Sequence, residues 1–167
     1  VVYLLVATFM VLNLFIAVVV NAMQSQVTED LKDEGEAHTR LILDEVRSLA
    51  THSYKDNDQG ARISSGSFVT MGMIIVPCSV KTLADIAHGH STDLVNRAAD
   101  VVLKERRRLV LAVREAPFTD IHLENMLKLS RMGVVISPPL PAFYHRPKSI
   151  DDLVDQVTEA IIGAAKT

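Results

Sequence analysis

The sequence predicts an α/β protein: a parallel sheet with helices on both of its faces. Two observations carry that prediction. Three short, near-continuous apolar runs, Met73–Cys78 (MIIVPC), Arg108–Val113 (RLVLAV) and Gly133–Ser137 (GVVIS), lack the alternation of a strand with one wet face. Between them lie stretches of helical spacing, which give each passage between strands room for a crossover helix. In chain order, the first run leads into a short helix, Lys81–His88. Thr92–Arg106 follows, with Leu94, Val95, Ala98 and Val102 expected on one face. Thr119–Met132 is expected to turn Leu123, Met126 and Leu127 inward and to stop at Gly133. The last helix opens on a capping box, Ser149-x-x-Asp152, and continues through the apolar Leu153, Val154, Val157 and Ile161.

The N-terminal part is of another kind. The chain has 167 residues, 49% of them hydrophobic and 22% charged, yet none of its 17 Lys and Arg or 20 Asp and Glu precedes Glu29. The mean hydropathy of +0.23 is therefore a property of one end. Val1–Val20 is broken only by Tyr3, Thr8 and Asn13. At about 1.5 Å per residue such a run matches a hydrocarbon core of roughly 30 Å. It lacks the basic start and small-residue cleavage site of a signal peptide. A transmembrane helix is expected over residues 1–24, and an opening Val without an initiator Met points to a partial or processed N-terminus. Residues 25–53 form a charged neck and linker, with Leu31, His38, Ile42, Val46 and Leu49 on a helical stripe interrupted by Gly35. The polar, turn-rich run Thr51–Ser67 marks the boundary, and the α/β domain is expected over residues 54–167.

Composition narrows the function. A net charge of -3 gives no reason to expect nucleic-acid binding. One cysteine excludes an internal disulfide and any CxxC motif.

Ligands of parallel sheets bind beyond the carboxyl ends of the strands, and those ends are rich in chemistry here. Pro77-Cys78-Ser79-Val80-Lys81-Thr82 turns directly into a helix, so backbone N–H groups, two hydroxyls and a cation form a candidate anion site. It is not a Walker motif, and an ordinary Ser-capped helix is the alternative. Ser64-Ser65-Gly66-Ser67-Phe68 is a second hydroxyl-rich turn. Arg114 and Glu115 follow the second strand, and the third leads into a stiff Pro138–Pro147 loop presenting Tyr144. His88 and His90 lack a third metal ligand, and Cys78 lacks a base that would make it a nucleophile. Arg106, Arg107 and Arg108 read as a solvated helix end.

Two resemblances follow. TFMVLNLFIAVVVNAMQ, within residues 1–26, resembles the intracellular half of the pore-lining helix of bacterial voltage-gated sodium channels. That would make Asn13 a pore-lining or interhelical amide, but one such helix cannot conduct by itself. SSGSF, MIIVPCSVKTLADIAHG, RAADVVLKERRRLVLAVREAP and PPLPAFYHRP resemble the UbiX-type flavin prenyltransferases in order and spacing, across about Tyr54–Val157. This second resemblance implies a partial flavodoxin-like (Rossmann-like) fold with FMN as cofactor and no metal. The implied reaction moves a dimethylallyl group from dimethylallyl phosphate to N5 and C6 of FMN. The product would be prenylated FMN for a partner decarboxylase of a ubiquinone-type pathway. The family works as a homo-oligomer, often a dodecamer.

Carried over by position, the resemblance implies flavin contacts at Ser67, Ser79, Val80, Lys81, Thr82 and Arg114. It implies substrate-phosphate contacts at Arg97, Lys104 and Tyr144, and proton transfer by Glu115. Two departures stand out. Ala160 replaces an Arg that completes the family's phosphate clamp, and the membrane-like segment stands where the family has its first βαβ unit with a Gly-Ala-Ser-Gly flavin loop. The expectation is a flavoprotein of impaired turnover on its own, membrane-attached through residues 1–20 with its α/β domain cytoplasmic, or wholly cytoplasmic if that segment is foreign. The alternative is a sodium-channel-like membrane segment with a non-catalytic flavoprotein-like tail.

Overall fold

The computed structural model describes residues 47–166 together with Leu41, Asp44 and Glu45. It divides the chain into two units between Ser53 and Tyr54. In the first unit the described residues up to Leu49 are helical and exposed, and Arg47 pairs with Asp44 at 3.2 Å. The transmembrane helix expected over 1–24 and most of the neck lie outside the described residues. Among the described residues no helix is long and apolar enough to cross a membrane.

The second unit is built on three parallel strands, β1 (Gly72–Cys78), β2 (Arg108–Val113) and β3 (Val135–Ile136), in that spatial order. Four helices complete it: α1 (Val80–His88), α2 (Leu94–Lys104), α3 (Asp120–Arg131) and α4 (Ile150–Lys166). The expected α/β parallel sheet is present. β2 coincides with its expected run. β3 is shorter than its five-residue run because Gly133 at φ 92° and Val134, whose N–H donates to Leu129 O at 3.1 Å, still belong to the end of α3. Beyond β3, Ser137 N–H donates to Leu111 O at 2.9 Å and carries the pairing one step further.

Side-chain alternation along β2 divides the core. Leu109, Leu111 and Val113 pack with Ile75, Leu83, Ile86, Ala99, Val102 and Leu129 under α1, α2 and α3. Val110 and Ala112 face the other way, against Ile161 of α4. Three expected faces need correction. On α3, Leu123 and Leu127 are both 51% exposed, whereas Asn125 and Leu129 are buried. Residues two apart on a helix point about 200° apart, so a stripe through 125 and 129 turns 123 and 127 to solvent. On α2, Val95 in the first turn is 37% exposed, and the buried face runs through Leu94, Ala98, Val101 and Val102. On α4 the inward contact is made by Ile161, while Val154 is exposed.

The outer edge of β1 has no strand partner among the described residues; Val76 within the strand and Val69 and Met71 just before it are exposed. Such an edge can template pairing with another chain.

Candidate active site

The β1–β2 register becomes irregular between Ile75 and Cys78, where Pro77 has no N–H to donate. Pairing resumes at Cys78 opposite Val113, and Arg114 N–H donates to Cys78 O at 3.1 Å. The two strand ends are thereby locked together as α1 begins. Ser79 caps α1: its Oγ accepts the Thr82 N–H at 3.1 Å and lies 3.0 Å from Thr82 Oγ1. Both hydroxyls are thus engaged with each other. The N–H groups of Val80 and Lys81 have no partner within the helix and retain the capacity to hold an anion. Cys78, beneath this turn, is buried, and burial pushes its thiol up to about 11. A neutral thiol is no nucleophile.

Along the same sheet edge, at the carboxyl ends of β2 and β3, lies a cavity of about 440 Å³ lined by Arg114, Glu115, Phe118, Pro138, Pro139 and Leu140, among others, and not by Ser79–Thr82. Its walls are mostly apolar, with one cation and one carboxylate. Glu115 is exposed, and its Oε1 accepts the Ala116 N–H at 3.1 Å. The Pro-rich loop is anchored to α4 where Ala142 N–H donates to Gln156 Oε1 at 3.0 Å. Tyr144, further along, is 81% exposed with its ring 4.1 Å from that of His145, and it does not line the cavity.

Arg97 and Lys104 do not line the cavity either. They meet at the Ser64–Phe68 turn. Arg97 Nε donates to Ser64 O at 3.3 Å while its Nη1 pairs with Asp100 at 2.8 Å. Lys104 pairs with Glu105 at 2.6 Å, and a Cβ on Gly66 would run into both side chains. Ser67 sits in this turn, its Oγ 2.8 Å from Ser65 Oγ. The fold therefore gathers Ser67, Arg97 and Lys104 at one place, and Arg114, Glu115 and the Ser79–Thr82 loop at the sheet's carboxyl edge.

The role of Arg107 is not legible in the sequence. Far from a solvated helix end, its guanidinium donates to Phe68 O at 2.9 Å and Gly66 O at 2.8 Å, holding the turn in place. Arg62 lies over the Phe68 ring at 4.7 Å. No local signal distinguishes Arg107 from its two neighbours, because its acceptors lie about 40 residues upstream. His88 Nδ1 lies 2.8 Å from Ala84 O, and no group of three metal-binding side chains forms among the described residues.

The chain matches the family model described as Flavoprotein over residues 4–162. It is 59% identical over 127 residues to a probable UbiX-like flavin prenyltransferase of a Streptomyces species, covering 76% of this chain and 64% of that protein. The chain thus spans less than two thirds of that relative's length. A crystal structure of AnUbiX in complex with FMN and dimethylallyl pyrophosphate superposes with a TM-score of 0.71 at 53% identity, over 73% of this chain and 65% of that one. A dodecameric FMN-dependent UbiX-like decarboxylase from Escherichia coli O157:H7 superposes with a TM-score of 0.71 at 55% identity, over 74% and 67%. The channel-like reading of residues 1–26 finds no support in these matches, and the family model takes in most of that segment.

Proposed function

The chain belongs to the UbiX-like flavin prenyltransferase family, and from that membership we propose that its α/β unit binds FMN and takes part in prenylating it with dimethylallyl phosphate. The observation that carries the proposal is one juxtaposition. A helix N-terminus whose first N–H groups have no partner within the helix opens at the same sheet edge as an apolar cavity rimmed by Arg114 and Glu115, the two joined through the Cys78–Val113 pairing. The N–H groups suit the anionic end of FMN and the apolar walls suit a flat aromatic ring, so these residues fit the cofactor.

Ser79, Val80, Lys81 and Thr82 would hold the flavin with Arg114. Bound there, FMN supplies the N5 and C6 atoms that accept the prenyl group. Glu115, on the cavity wall, is placed to move a proton during ring closure. Arg97 and Lys104, together at the Ser67 turn, offer fixed positive charge to a departing phosphate, and Tyr144 would add a hydroxyl. Within one chain these cations do not line the Arg114 cavity, so the proposal has them serve the site of another copy in a homo-oligomer. The dodecameric assembly of the Escherichia coli relative supports that reading. The exposed Ala160 leaves the phosphate clamp one cation short. With that deficit, turnover is proposed to be weaker than in the longer relatives. The product would serve a partner decarboxylase of a ubiquinone-type pathway. A cytoplasmic setting for the α/β unit is part of this proposal.

The test is quenching of FMN fluorescence by the full chain, followed by spectral detection of prenylated flavin after dimethylallyl phosphate is added. Saturable quenching is expected, weakened about tenfold or more by Arg114→Ala, the scale of a lost charged hydrogen bond. Glu115→Gln should leave quenching intact and slow prenylation by about a hundredfold or more, as for loss of a general acid or base. Absence of quenching would overturn the proposal.

A further inference from the structure

Lys81 is the only cation of the Ser79–Thr82 loop, yet its ammonium turns away from the helix N-terminus. It reaches one turn down α1 to Asp85, with Nζ and Oδ2 3.0 Å apart. A lysine four residues before an acid is the weaker orientation of such a pair on an isolated helix. The pair has support from outside α1. Asn96 of α2, only 2% exposed, donates from Nδ2 to the same Asp85 oxygen at 3.3 Å. Asn96 is itself fixed by Asp93, which accepts its Nδ2 at 2.9 Å and its backbone N–H at 2.7 Å. The Asp85 side chain is 18% exposed. Withdrawing Lys81 would leave this largely desolvated carboxylate with a neutral amide as its remaining contact, an unfavourable exchange.

We propose that Asp85, anchored by Asn96, is a positioning residue that holds the Lys81 ammonium off the helix N-terminus, so that the loop takes the flavin's anionic end through backbone N–H groups. The inference rests on the FMN reading above. Asp93 and Asp56 also face Lys81 and, with Asp85, hold its ammonium above the usual lysine range. Removing Asp85 frees the cation to meet the ligand.

The test is a double-mutant cycle on the full chain, read by FMN fluorescence and by NMR titration of the Lys81 ammonium. Asp85→Asn is expected to tighten FMN about fivefold at low salt with a steeper salt dependence, the mark of a newly engaged charge. The gain should vanish when Lys81→Met is added. The Lys81 titration should move down in Asp85→Asn and in Asn96→Ala. If Asp85→Asn weakens FMN binding or leaves it unchanged, or if its gain persists beside Lys81→Met, the proposal is overturned. Should none of the variants nor the parent bind FMN, the flavin reading fails. The holding contact is then judged by the titration alone: a downward move supports it, and an unmoved Lys81 refutes it.

Discussion

Cys78 ends β1 with its side chain wholly enclosed, and burial holds its thiol protonated, up to about 11. At pH 8 about one thiol in a thousand is then ionised, so a thiolate-selective reagent meets almost no target. Ellman's reagent should react with the native chain over hours and with the denatured chain at once. Rapid reaction of the native chain would show that the turn into α1 opens. The packing role of this residue was legible, since no base stands near it in sequence. Gly72 was less so. A glycine reads as a weak strand residue, and the sequence-based start was Met73. The register nevertheless pairs Gly72 with Arg108, where an added Cβ would come within 2.6 Å of the Arg108 carbonyl oxygen. Close approach of two backbones decides that position, and no local propensity reports it.

Helix starts are local chemistry, and the Ser149-x-x-Asp152 box is legible for that reason, although α2 starts at Leu94 under an Asp93 cap rather than at Thr92. Ser149 Oγ accepts the Asp152 N–H at 3.1 Å, while Asp152 Oδ2 accepts the N–H groups of Lys148 at 2.6 Å and Ser149 at 3.2 Å. The Lys148 N–H, then the Ser149 contacts, hold the Asp152 carboxyl below its ordinary 3.8. A carboxyl depressed in the folded state contributes stability that is complete above the unfolded value and is lost as pH falls through the folded one. The first turn of α4 should therefore fray below pH 3.8, seen as accelerated amide exchange at Lys148 and Ser149. In Asp152→Asn that acid step should disappear, since the amide oxygen still accepts but does not titrate. An unchanged step would assign it to another group. Helix faces were harder. α3 carries apolar residues on both sides, Leu123 and Leu127 outward and Met126 and Leu129 inward. Periodicity alone cannot choose between two such stripes, because the choice belongs to the sheet they meet.

At the scale of the whole unit, the carboxyl edge of the site was legible because strand ends in a parallel sheet converge on one side. The grouping of Arg97, Lys104 and Arg107 around the Ser64–Phe68 turn was not, because it depends on a linker folding back on α2. The same sheet also makes stability uneven. One face is sealed by three helices over a large cluster that includes Leu111, while the other rests on α4, with Ile161 its buried anchor against Val110 and Ala112. Leu111→Ala should cost about 4 kcal/mol, near the upper range for a site with no room to collapse. Ile161→Ala should cost about 2 kcal/mol, since its half-buried neighbours Val157, Ala164 and Ala165 can settle inward. Amides of α4 should accordingly exchange through an opening of lower free energy than those of β2, because less apolar surface is exposed when α4 lifts. Equal protection of α4 and β2, with equal costs for the two substitutions, would mean that both faces open together as a single cooperative core.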